Sequence, residues 1–320
     1  MIWHLALGAL FFVSILTLGA AVPESSRQRY SIWETETPVF LSLGNKPEAE
    51  APKPFHVPEI KARSAYVSDL KDNKVLFEKN ASEPRPLASL TKLMTALLLE
   101  ERVPEGIFIP ISAEAIKQEG DDGFKAGENF RTEDLRDFML VASSNDAAYA
   151  AAEFIGAGLL GNNKAKVSKF VALMNERARE LGLLNSSFLN PHGLDQKINH
   201  EEISGAQGSA FDMALLMKYI FEKHSNLIEK TRREEIEIVS EKGHVYSGKN
   251  TNKALAVIPQ LVGAKTGFTD LAGGNLVFIF ESGFSHPILV SLLGSSEEGR
   301  FSDAKKIADA VLRYYAFPNP

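Results

Sequence analysis

The chain of 320 residues contains no cysteine, which excludes disulfide bonds, thiolate metal sites and a cysteine nucleophile. An excess of basic residues is also absent, because 41 Asp and Glu outnumber 35 Lys and Arg and give a net charge of −6. Binding to nucleic acid phosphates needs a basic surface, so no nucleic-acid partner is predicted. The histidines form no H-E-x-x-H pattern, and neither a metal nor an organic cofactor is expected.

Charged residues are missing from residues 2–22. The small residues at 19–21 are typical of a signal-peptidase site, although no Lys or Arg precedes Arg27. The segment is also long enough to span a bilayer. We therefore expect an extracytoplasmic protein, with residues 1–22 as a cleaved signal peptide or a retained N-terminal anchor. Contact with a membrane is expected only through residues 2–22.

Residues 23–58 show little hydrophobic periodicity and include prolines at positions 47, 52, 54 and 58. Proline lacks an amide donor and favours extended spacers, so this stretch is interpreted as a flexible linker. The folded catalytic domain is expected to occupy residues 59–320.

After residue 59 the sequence contains both strand-like and helix-like patterns of apolar residues. Residues 65–67 and 75–77 flank turn residues, which predicts a β-hairpin, and further strands are expected at 276–280 and 288–293. Helical periodicity is found in five stretches: from Ser89 through 98, then 133–156, 166–182, 209–223 and 303–315. Early strands, a helical middle and late strands predict an α+β fold with one antiparallel sheet built from both chain ends and a mainly helical inserted subdomain.

The motif S-x-x-K occurs at 68–71, 89–92 and 302–305. A serine hydroxyl needs a base within hydrogen-bond reach, and residues three apart on a helix share a face. Only the copy at 89–92 opens an apolar helix, so Ser89 is the candidate nucleophile and Lys92 its base. The motif by itself leaves a helix N-cap open as the alternative role for Ser89. The copy at 68–71 crosses a hairpin turn, and Ser302 is interpreted as a helix N-cap.

Two further motifs follow in the chain. The segment S-S-N-D at 143–146 interrupts a helical stretch, and K-T-G at 265–267 precedes the strand region that begins at Gly274. The order S-x-x-K, S-x-N, K-T-G is found in penicillin-binding proteins and class A β-lactamases. Their joint occurrence favours a catalytic role for all three motifs over unrelated structural roles.

The surrounding sequence resembles the serine-type D-alanyl-D-alanine carboxypeptidases, the low-molecular-weight penicillin-binding proteins of the peptidase S11 type. The resemblance covers about residues 60–320 and is carried by the segments at 86–96, 143–148, 190–195 and 265–277. Ser144 stands where those proteins usually have glycine. The resemblance to this family implies the β-lactamase/transpeptidase-like fold. The β-rich C-terminal domain and amphipathic C-terminal anchor of some relatives are not expected in this chain.

The resemblance implies a role for each matched side chain. Ser89 would be the acylated nucleophile and Lys92 would accept its proton. Ser143 would relay a proton to the leaving amine, and Asn145 would hold the substrate amide. Lys265 would tune the field around Ser143 and help to dock a carboxylate.

The resemblance also implies a substrate-binding set on the K-T-G side. Backbone N–H groups of Ser89 and Phe268 would form the oxyanion hole, with Gly267 beside them. Thr266 and Arg300 would bind the terminal carboxylate of the substrate, because a guanidinium fork suits a carboxylate. For His192 a structural hydrogen-bonding role is favoured over a role as base.

The expected function is a D,D-carboxypeptidase of peptidoglycan synthesis and cell shape, which releases the terminal D-alanine from stem pentapeptides through an acyl-enzyme on Ser89. β-Lactam antibiotics are the expected covalent inhibitors. A D,D-endopeptidase acting on cross-links stays open as the alternative, followed by a class A-like β-lactamase and an inactive wall-binding module. A β-lactamase needs a deacylating glutamate, and no convincing E-x-x-x-N segment lies between Asn145 and Lys265.

Overall fold

The computed structural model describes residues 55–316, apart from 57–58, 121 and 159–162. The predicted signal or anchor segment and almost all of the predicted linker lie outside the described residues. Within the described ranges, no helix has the length and apolar character needed to cross a membrane.

The long strands lie near the two ends of the described chain, and most of the helices lie between them. The strands are β1 Ser64–Asp69, β2 Lys74–Lys79, β3 Arg85–Pro86, β4 Phe108–Pro110, β5 Asn129–Arg131, β6 Ser187–Phe188, β7 Gln196–Ile198, β8 Glu201–Ile203, β9 Ala206–Gly208, β10 Glu235–Val239, β11 Val245–Lys249, β12 Leu261–Thr269, β13 Gly273–Glu281 and β14 Pro287–Ser295. The α-helices are α1 Lys92–Arg102, α2 Thr132–Val141, α3 Asn145–Gly156, α4 Asn163–Glu180, α5 Ala210–Lys223, α6 Asn226–Glu229 and α7 Gly299–Ala316.

The main sheet has five antiparallel strands in the order β12-β13-β14-β1-β2. The predicted hairpin forms β1 and β2, and the later strands of the sheet come from the last fifth of the chain. The central pair β1 and β14 joins the two chain ends, with Ser64 opposite Leu293 and Asp69 opposite Ile288. The predicted α+β class and the sheet built from both chain ends are confirmed.

Both faces of this sheet are covered, which explains why β13 is continuously apolar from Leu276 to Phe280. Phe278 and Phe280 pack with Ile307 and other residues of α7 in one core cluster. The alternate residues Val277 and Ile279 belong to a second, larger cluster that contains the helical subdomain. Successive strand residues point to opposite faces, so one strand serves two cores.

The helical subdomain is organised around α1, in which every residue from Lys92 to Leu99 is buried. The stretch predicted as one helix at 133–156 is divided into α2 and α3 at the S-S-N-D segment, as the polar residues there suggested. Ser144 caps α3 by accepting a hydrogen bond from the N–H of Ala147. The break therefore sets Ser143 and Asn145 at a helix junction.

Three local predictions require correction. The segment beginning at Ser89 is not yet α-helix, because Ala88–Thr91 forms a 3₁₀ helix that continues into α1. The K-T-G residues do not precede a strand but lie within β12, the edge strand of the main sheet. Ser302 is not an N-cap, since α7 begins at Gly299 and Ser302 donates back to the Gly299 carbonyl.

Candidate active site

The 3₁₀ turn that carries Ser89 is held from two sides. Asn275 of β13 donates from Nδ2 to the Pro86 and Leu87 carbonyls at 2.9 and 3.1 Å. On the other side lies Gly193 with φ +84°, where an added Cβ would sit 2.0 Å from the carbonyl oxygen of Ala88. Glycine is therefore required at 193 for this close approach. Asn275 and Gly193 fix the direction in which the Ser89 hydroxyl points.

The backbone is strained at the residue before Ser89 and at Ser143. Ala88, which precedes Ser89, has φ +48°, and Ser143 itself has φ +63°. The left-handed region is unfavourable for residues with a Cβ and persists only where the surrounding contacts determine it. Such outliers cluster at functional sites, which points to these two positions as parts of one site.

Lys92 is fully buried and its Nζ makes three polar contacts. It lies 2.8 Å from Ser89 Oγ, 2.7 Å from Asn145 Oδ1 and 3.1 Å from the His192 carbonyl oxygen. Burial lowers the pKa of Lys92 to about 7, and the carboxylate of Asp122 acts in the opposite direction. A substantial fraction of Lys92 is therefore neutral near pH 7.

The same contacts suit the neutral amine. A neutral lysine has two N–H donors and one lone pair, and the two carbonyl-type acceptors, Asn145 Oδ1 and the His192 carbonyl, use the two donors. The lone pair is then directed at the Ser89 hydroxyl, which can donate its proton. This is the geometry that a general base requires of its nucleophile.

Ser143 and Lys265 face the cleft from the opposite wall. The Nζ of Lys265 donates to Ser143 Oγ at 2.9 Å and to the Thr266 carbonyl at 2.9 Å. Burial first, and then the positive charges of Lys92 and Arg300, hold the pKa of Lys265 well below its ordinary value. A substrate carboxylate bound nearby would favour the charged form of Lys265.

Asn145 links the two walls to the loop before α2. Its Oδ1 accepts from Lys92, and its Nδ2 donates to the Glu119 carbonyl at 2.5 Å. An amide carries two N–H groups, so one remains for a ligand carbonyl. Ser144, at the position where the resembling family usually has glycine, donates from Oγ to Asp122 and thereby ties the same loop to α3.

The edge strand β12 forms the floor beside Ser89. Gly267 has no side chain, and a Cβ there would lie 2.7 Å from the Leu87 carbonyl oxygen and 3.2 Å from the Ser89 nitrogen. Glycine at this position allows the strand to approach the nucleophile turn closely. The backbone of Phe268 is thereby brought next to Ser89, where the sequence placed the second oxyanion donor.

Arg300 reaches the same strand from the first turn of α7. It is 5% exposed, donates from Nη1 to the Gly267 carbonyl at 2.7 Å and lies over the Phe301 and Phe268 rings. Within the described part of the chain its Nε is buried and has no hydrogen-bond partner. Burial lowers the pKa of Arg300, and Glu297 and Glu298 oppose that shift. An anion bound at this edge would satisfy the guanidinium.

These walls enclose a cleft of about 320 Å³ that contains Ser89, Ser143, Thr266 and Arg300 together. The sequence-predicted residues therefore converge on one surface, with Lys92 and Lys265 buried directly beneath it. The cleft also has lining residues that the sequence did not single out: Thr251, Lys253 and Glu297. Thr251 contacts Thr266 through a 2.5 Å hydrogen bond between their hydroxyls. Exposed loop residues of this kind carry no motif or periodicity that could have identified them.

His192 is buried behind Lys92. Its Nδ1 accepts from the Leu194 N–H at 3.2 Å, and its Nε2 lies 3.0 Å from Gln118 Oε1. Burial and the charge of Lys92 lower its pKa to about 3, so the ring is neutral. With both ring nitrogens in structural contacts, the favoured interpretation of His192 as a structural residue agrees with its surroundings.

A possible metal-binding group lies outside this cleft. Asp69, Asp72 and His286 place ligand atoms within 4.8 Å of one another. Asp69 already accepts from the N–H groups of Lys71 and Asp72, from His286 and from Tyr315. These bonds join the β1–β2 turn to β14 and α7, which is a sufficient structural role.

Known sequences resemble this chain over most of its folded part. It is 31% identical over 260 residues to the D-alanyl-D-alanine carboxypeptidase DacF of Bacillus subtilis, covering 79% of this chain and 63% of that protein. It is 32% identical over 280 residues to DacA of Escherichia coli K12, covering 82% and 64%. The D-alanyl-D-alanine endopeptidase of Escherichia coli K12 is 28% identical over 269 residues, covering 82% and 81%. The chain thus spans just under two thirds of the length of DacF and DacA.

Solved structures share the fold. The Streptomyces K15 DD-transpeptidase superposes with a TM-score of 0.71 at 22% identity, covering 81% of this chain and 99% of that one. Penicillin-binding protein D2 from Listeria monocytogenes in its ampicillin-bound form gives 0.64 at 27% identity, covering 79% and 98%. The family model described as D-alanyl-D-alanine carboxypeptidase, Peptidase S11, matches residues 50–295. The chain therefore belongs to the peptidase S11 family of D-alanyl-D-alanine carboxypeptidases.

Proposed function

We propose that this protein is a serine D,D-carboxypeptidase that removes the terminal D-alanine from peptidoglycan stem pentapeptides. The observation that carries the proposal is the buried contact between Lys92 and Ser89, with Ser143 and Lys265 on the opposite wall of the same cleft. Residues 59–320 would form the catalytic domain. The similarity to the D-alanyl-D-alanine carboxypeptidases DacF and DacA supports the same function.

The reaction begins with attack of Ser89 Oγ on the carbonyl carbon of the penultimate D-alanine. Lys92 takes the hydroxyl proton, and the N–H groups of Ser89 and Phe268 stabilise the oxyanion. The C–N bond breaks when Ser143, hydrogen-bonded to Lys265, passes a proton to the leaving nitrogen, and the proton held by Lys92 replaces it on Ser143, so that Lys92 is neutral again. Water then attacks the ester carbonyl and gives one proton to Lys92. The bond to Ser89 Oγ breaks as Lys92 returns this proton to it, which restores the Ser89 hydroxyl and releases the shortened peptide as its carboxylic acid.

Recognition of a free C-terminus would depend on cations at the far side of the cleft. Lys265, Thr266 and Arg300 surround the place where the terminal carboxylate would lie. Arg300 lines the cleft, and its guanidinium would donate to that carboxylate. Asn145 would donate its remaining N–H to the substrate carbonyl.

A D,D-endopeptidase that cuts cross-links is the second candidate. The endopeptidase relative supports it, because this chain covers 81% of that protein's length. The same acylation residues would serve both reactions, since only the leaving group differs. The two candidates therefore differ in how the cleft receives that leaving group.

We further propose that β-lactams acylate Ser89 and that the protein acts outside the cytoplasmic membrane. The ampicillin-bound penicillin-binding protein D2 supports the first point by its likeness in sequence and fold. The location of peptidoglycan and the uncharged residues 2–22 support the second. Whether residues 1–22 are removed or retained is decided by the mass of the N-terminal peptide of the purified, exported protein.

The test uses purified protein, a defined stem pentapeptide and a purified cross-linked muropeptide dimer, with products identified by mass spectrometry. We expect stoichiometric release of free D-alanine from the pentapeptide, faster than cleavage of the dimer. Faster cleavage of the dimer would identify an endopeptidase. Acylation by penicillin without either product would contradict both proposals, and rapid turnover of penicillin would indicate a β-lactamase.

A further inference from the structure

A pair of charged side chains outside the three motifs borders the cleft on the side of Arg300. Lys253 follows β11 and lines the cleft. Its Nζ lies 2.5 Å from Oε1 of Glu298, which is located in the turn before α7. Glu297 lines the cleft beside the pair. We call Lys253 and Glu298 the rim pair.

The position of the rim pair relates it to the leaving group. Thr251, two residues before Lys253, contacts the Thr266 hydroxyl, and Arg300 follows Glu298 by two residues. Under the proposed function, Thr266 and Arg300 hold the carboxylate of the departing residue. The rim pair thus lies next to the part of the site that receives whatever leaves the acyl-enzyme.

The two candidate reactions differ at this end of the cleft. In a carboxypeptidase the departing amine is free D-alanine, whose side chain is a methyl group. In an endopeptidase acting on a cross-link, the departing amine belongs to a residue whose side chain continues into a second stem peptide. Such a leaving group needs an open exit beyond the carboxylate position, and a closed rim would exclude it by steric contact.

We propose that the rim pair determines leaving-group size and makes this protein an exopeptidase. The proposal rests on the proposed function and specifies it further. The two side chains are 64% and 67% exposed, and exposed ion pairs contribute little to folding stability. Removing the pair therefore opens the rim while leaving the fold and the residues around Ser89 in place.

The test compares the wild type with Lys253→Ala/Glu298→Ala on the pentapeptide and on the cross-linked dimer. Each rate is divided by the fraction of protein that penicillin acylates, which corrects for damaged sites. We expect the ratio of dimer cleavage to D-alanine release to rise by about 10-fold, in the range by which steric pockets discriminate between substrates. The charge-reversed variant Lys253→Glu/Glu298→Lys rebuilds the pair and is expected to return the ratio to the wild-type value.

The matched control is the pair Lys305 and Asp309 on α7, which is also exposed and has an N–O distance of 2.7 Å. Lys305→Ala/Asp309→Ala is expected to leave the ratio unchanged. A ratio in the double-alanine rim variant within about twofold of wild type, well below the effect of a steric pocket, would overturn the proposal. So would failure of the charge-reversed variant to restore it.

These outcomes are separate from failure of the proposed function. If the wild type releases D-alanine and the rim variants keep the same ratio, only the rim proposal is lost. If the wild type is acylated but releases no D-alanine, the carboxypeptidase assignment is lost, and the rim proposal with it. The wild type tests the proposed function and the rim variants test the rim proposal, both in the same assay.

Discussion

The copies of S-x-x-K at 68–71, 89–92 and 302–305 have the same spacing but different surroundings. In the copy at 89–92 the lysine is buried, contacts the serine and has a pKa near 7. The lysine at 71 is exposed in the β1–β2 turn, and the lysine at 305 is exposed on α7, where it pairs with Asp309. Burial of the lysine, rather than the spacing, distinguishes the copy that is proposed to carry the nucleophile.

The copy at 68–71 is instructive because it also contains a buried ionisable group. Asp69 is fully buried, yet hydrogen bonds from four groups satisfy it. Burial opposes ionisation of Asp69, but the bonds from His286, Tyr315 and the Asp72 N–H outweigh it and lower its pKa. At Lys92 burial dominates and the base form is favoured. The first environment stabilises a charge, and the second stabilises the neutral group.

The largest expected effect separates the three serines. Replacing Ser89 by Ala should reduce acylation by penicillin by about 10⁴-fold or more, because no other hydroxyl can replace the nucleophile. Ser68→Ala and Ser302→Ala should label at the wild-type rate. Peptide mapping of the labelled protein locates the adduct, and an adduct on any residue other than Ser89 would contradict the comparison.

A smaller effect is expected at the carboxylate side of the cleft. Arg300→Ala leaves Ser89 and Lys92 in place but removes a charge-assisted hydrogen bond worth about 1.5–3 kcal/mol. The kcat/KM for D-alanine release should fall by about 10- to 150-fold, a loss that follows from this energy. Lys305→Ala serves as the control for loss of a cation from α7. An unchanged kcat/KM in Arg300→Ala would place carboxylate recognition on Lys265 and Thr266 alone.

The smallest effect on activity is expected at the S-x-x-K copy at 68–71. Asp69→Ala leaves His286 and the Tyr315 hydroxyl without their partner, which should lower the free energy of unfolding by about 2 kcal/mol at pH 7. Acylation per folded molecule should stay at the wild-type value. Urea denaturation and penicillin labelling measure the two quantities, and a loss of labelling per folded molecule would contradict the separation of the two regions.

The pH dependence of that stability has a definite sign. The pKa of Asp69 is lower in the folded protein than in the unfolded chain. Its stabilising contribution is therefore present above the unfolded value of about 3.9 and is lost as the pH falls through the folded value. The stability difference between wild type and Asp69→Asn should shrink as the pH is lowered below about 4, as measured by urea denaturation.

The sequence predicted much of this fold because its signals are local. The hairpin at 65–77 combines alternating residues with a turn, and the helix predicted at 209–223 is confirmed as α5, which Ser209 caps by accepting from the Asp212 N–H. The 3₁₀ start before Lys92 could not be predicted, because it depends on contacts from Gly193 and Asn275, more than 100 residues away. Strand β12 was missed for a related reason, since its glycines lower strand propensity and its pairing with β13 is a tertiary contact.

The candidate site was predictable to the extent that motifs mark it. Ser89, Lys92, Ser143, Asn145 and Lys265 were chosen from spacing and resemblance, and the structure brings them together. The surrounding residues Thr251, Lys253 and Glu297 were not predictable, because they lie on loops and reach the cleft only through tertiary packing. Their roles depend on shape, which a single sequence does not encode locally.

Lys92 is proposed to be the base because burial lowers its pKa to about 7, so that about half of it is neutral near pH 7. The direct measurement is the rate of acylation of Ser89 by penicillin as a function of pH. As Lys92 loses its proton, the rate should rise through a limb with an apparent pKa of about 7 and then level off. A rate that is constant across this range, or a limb near the ordinary lysine value of about 10.4, would contradict the account.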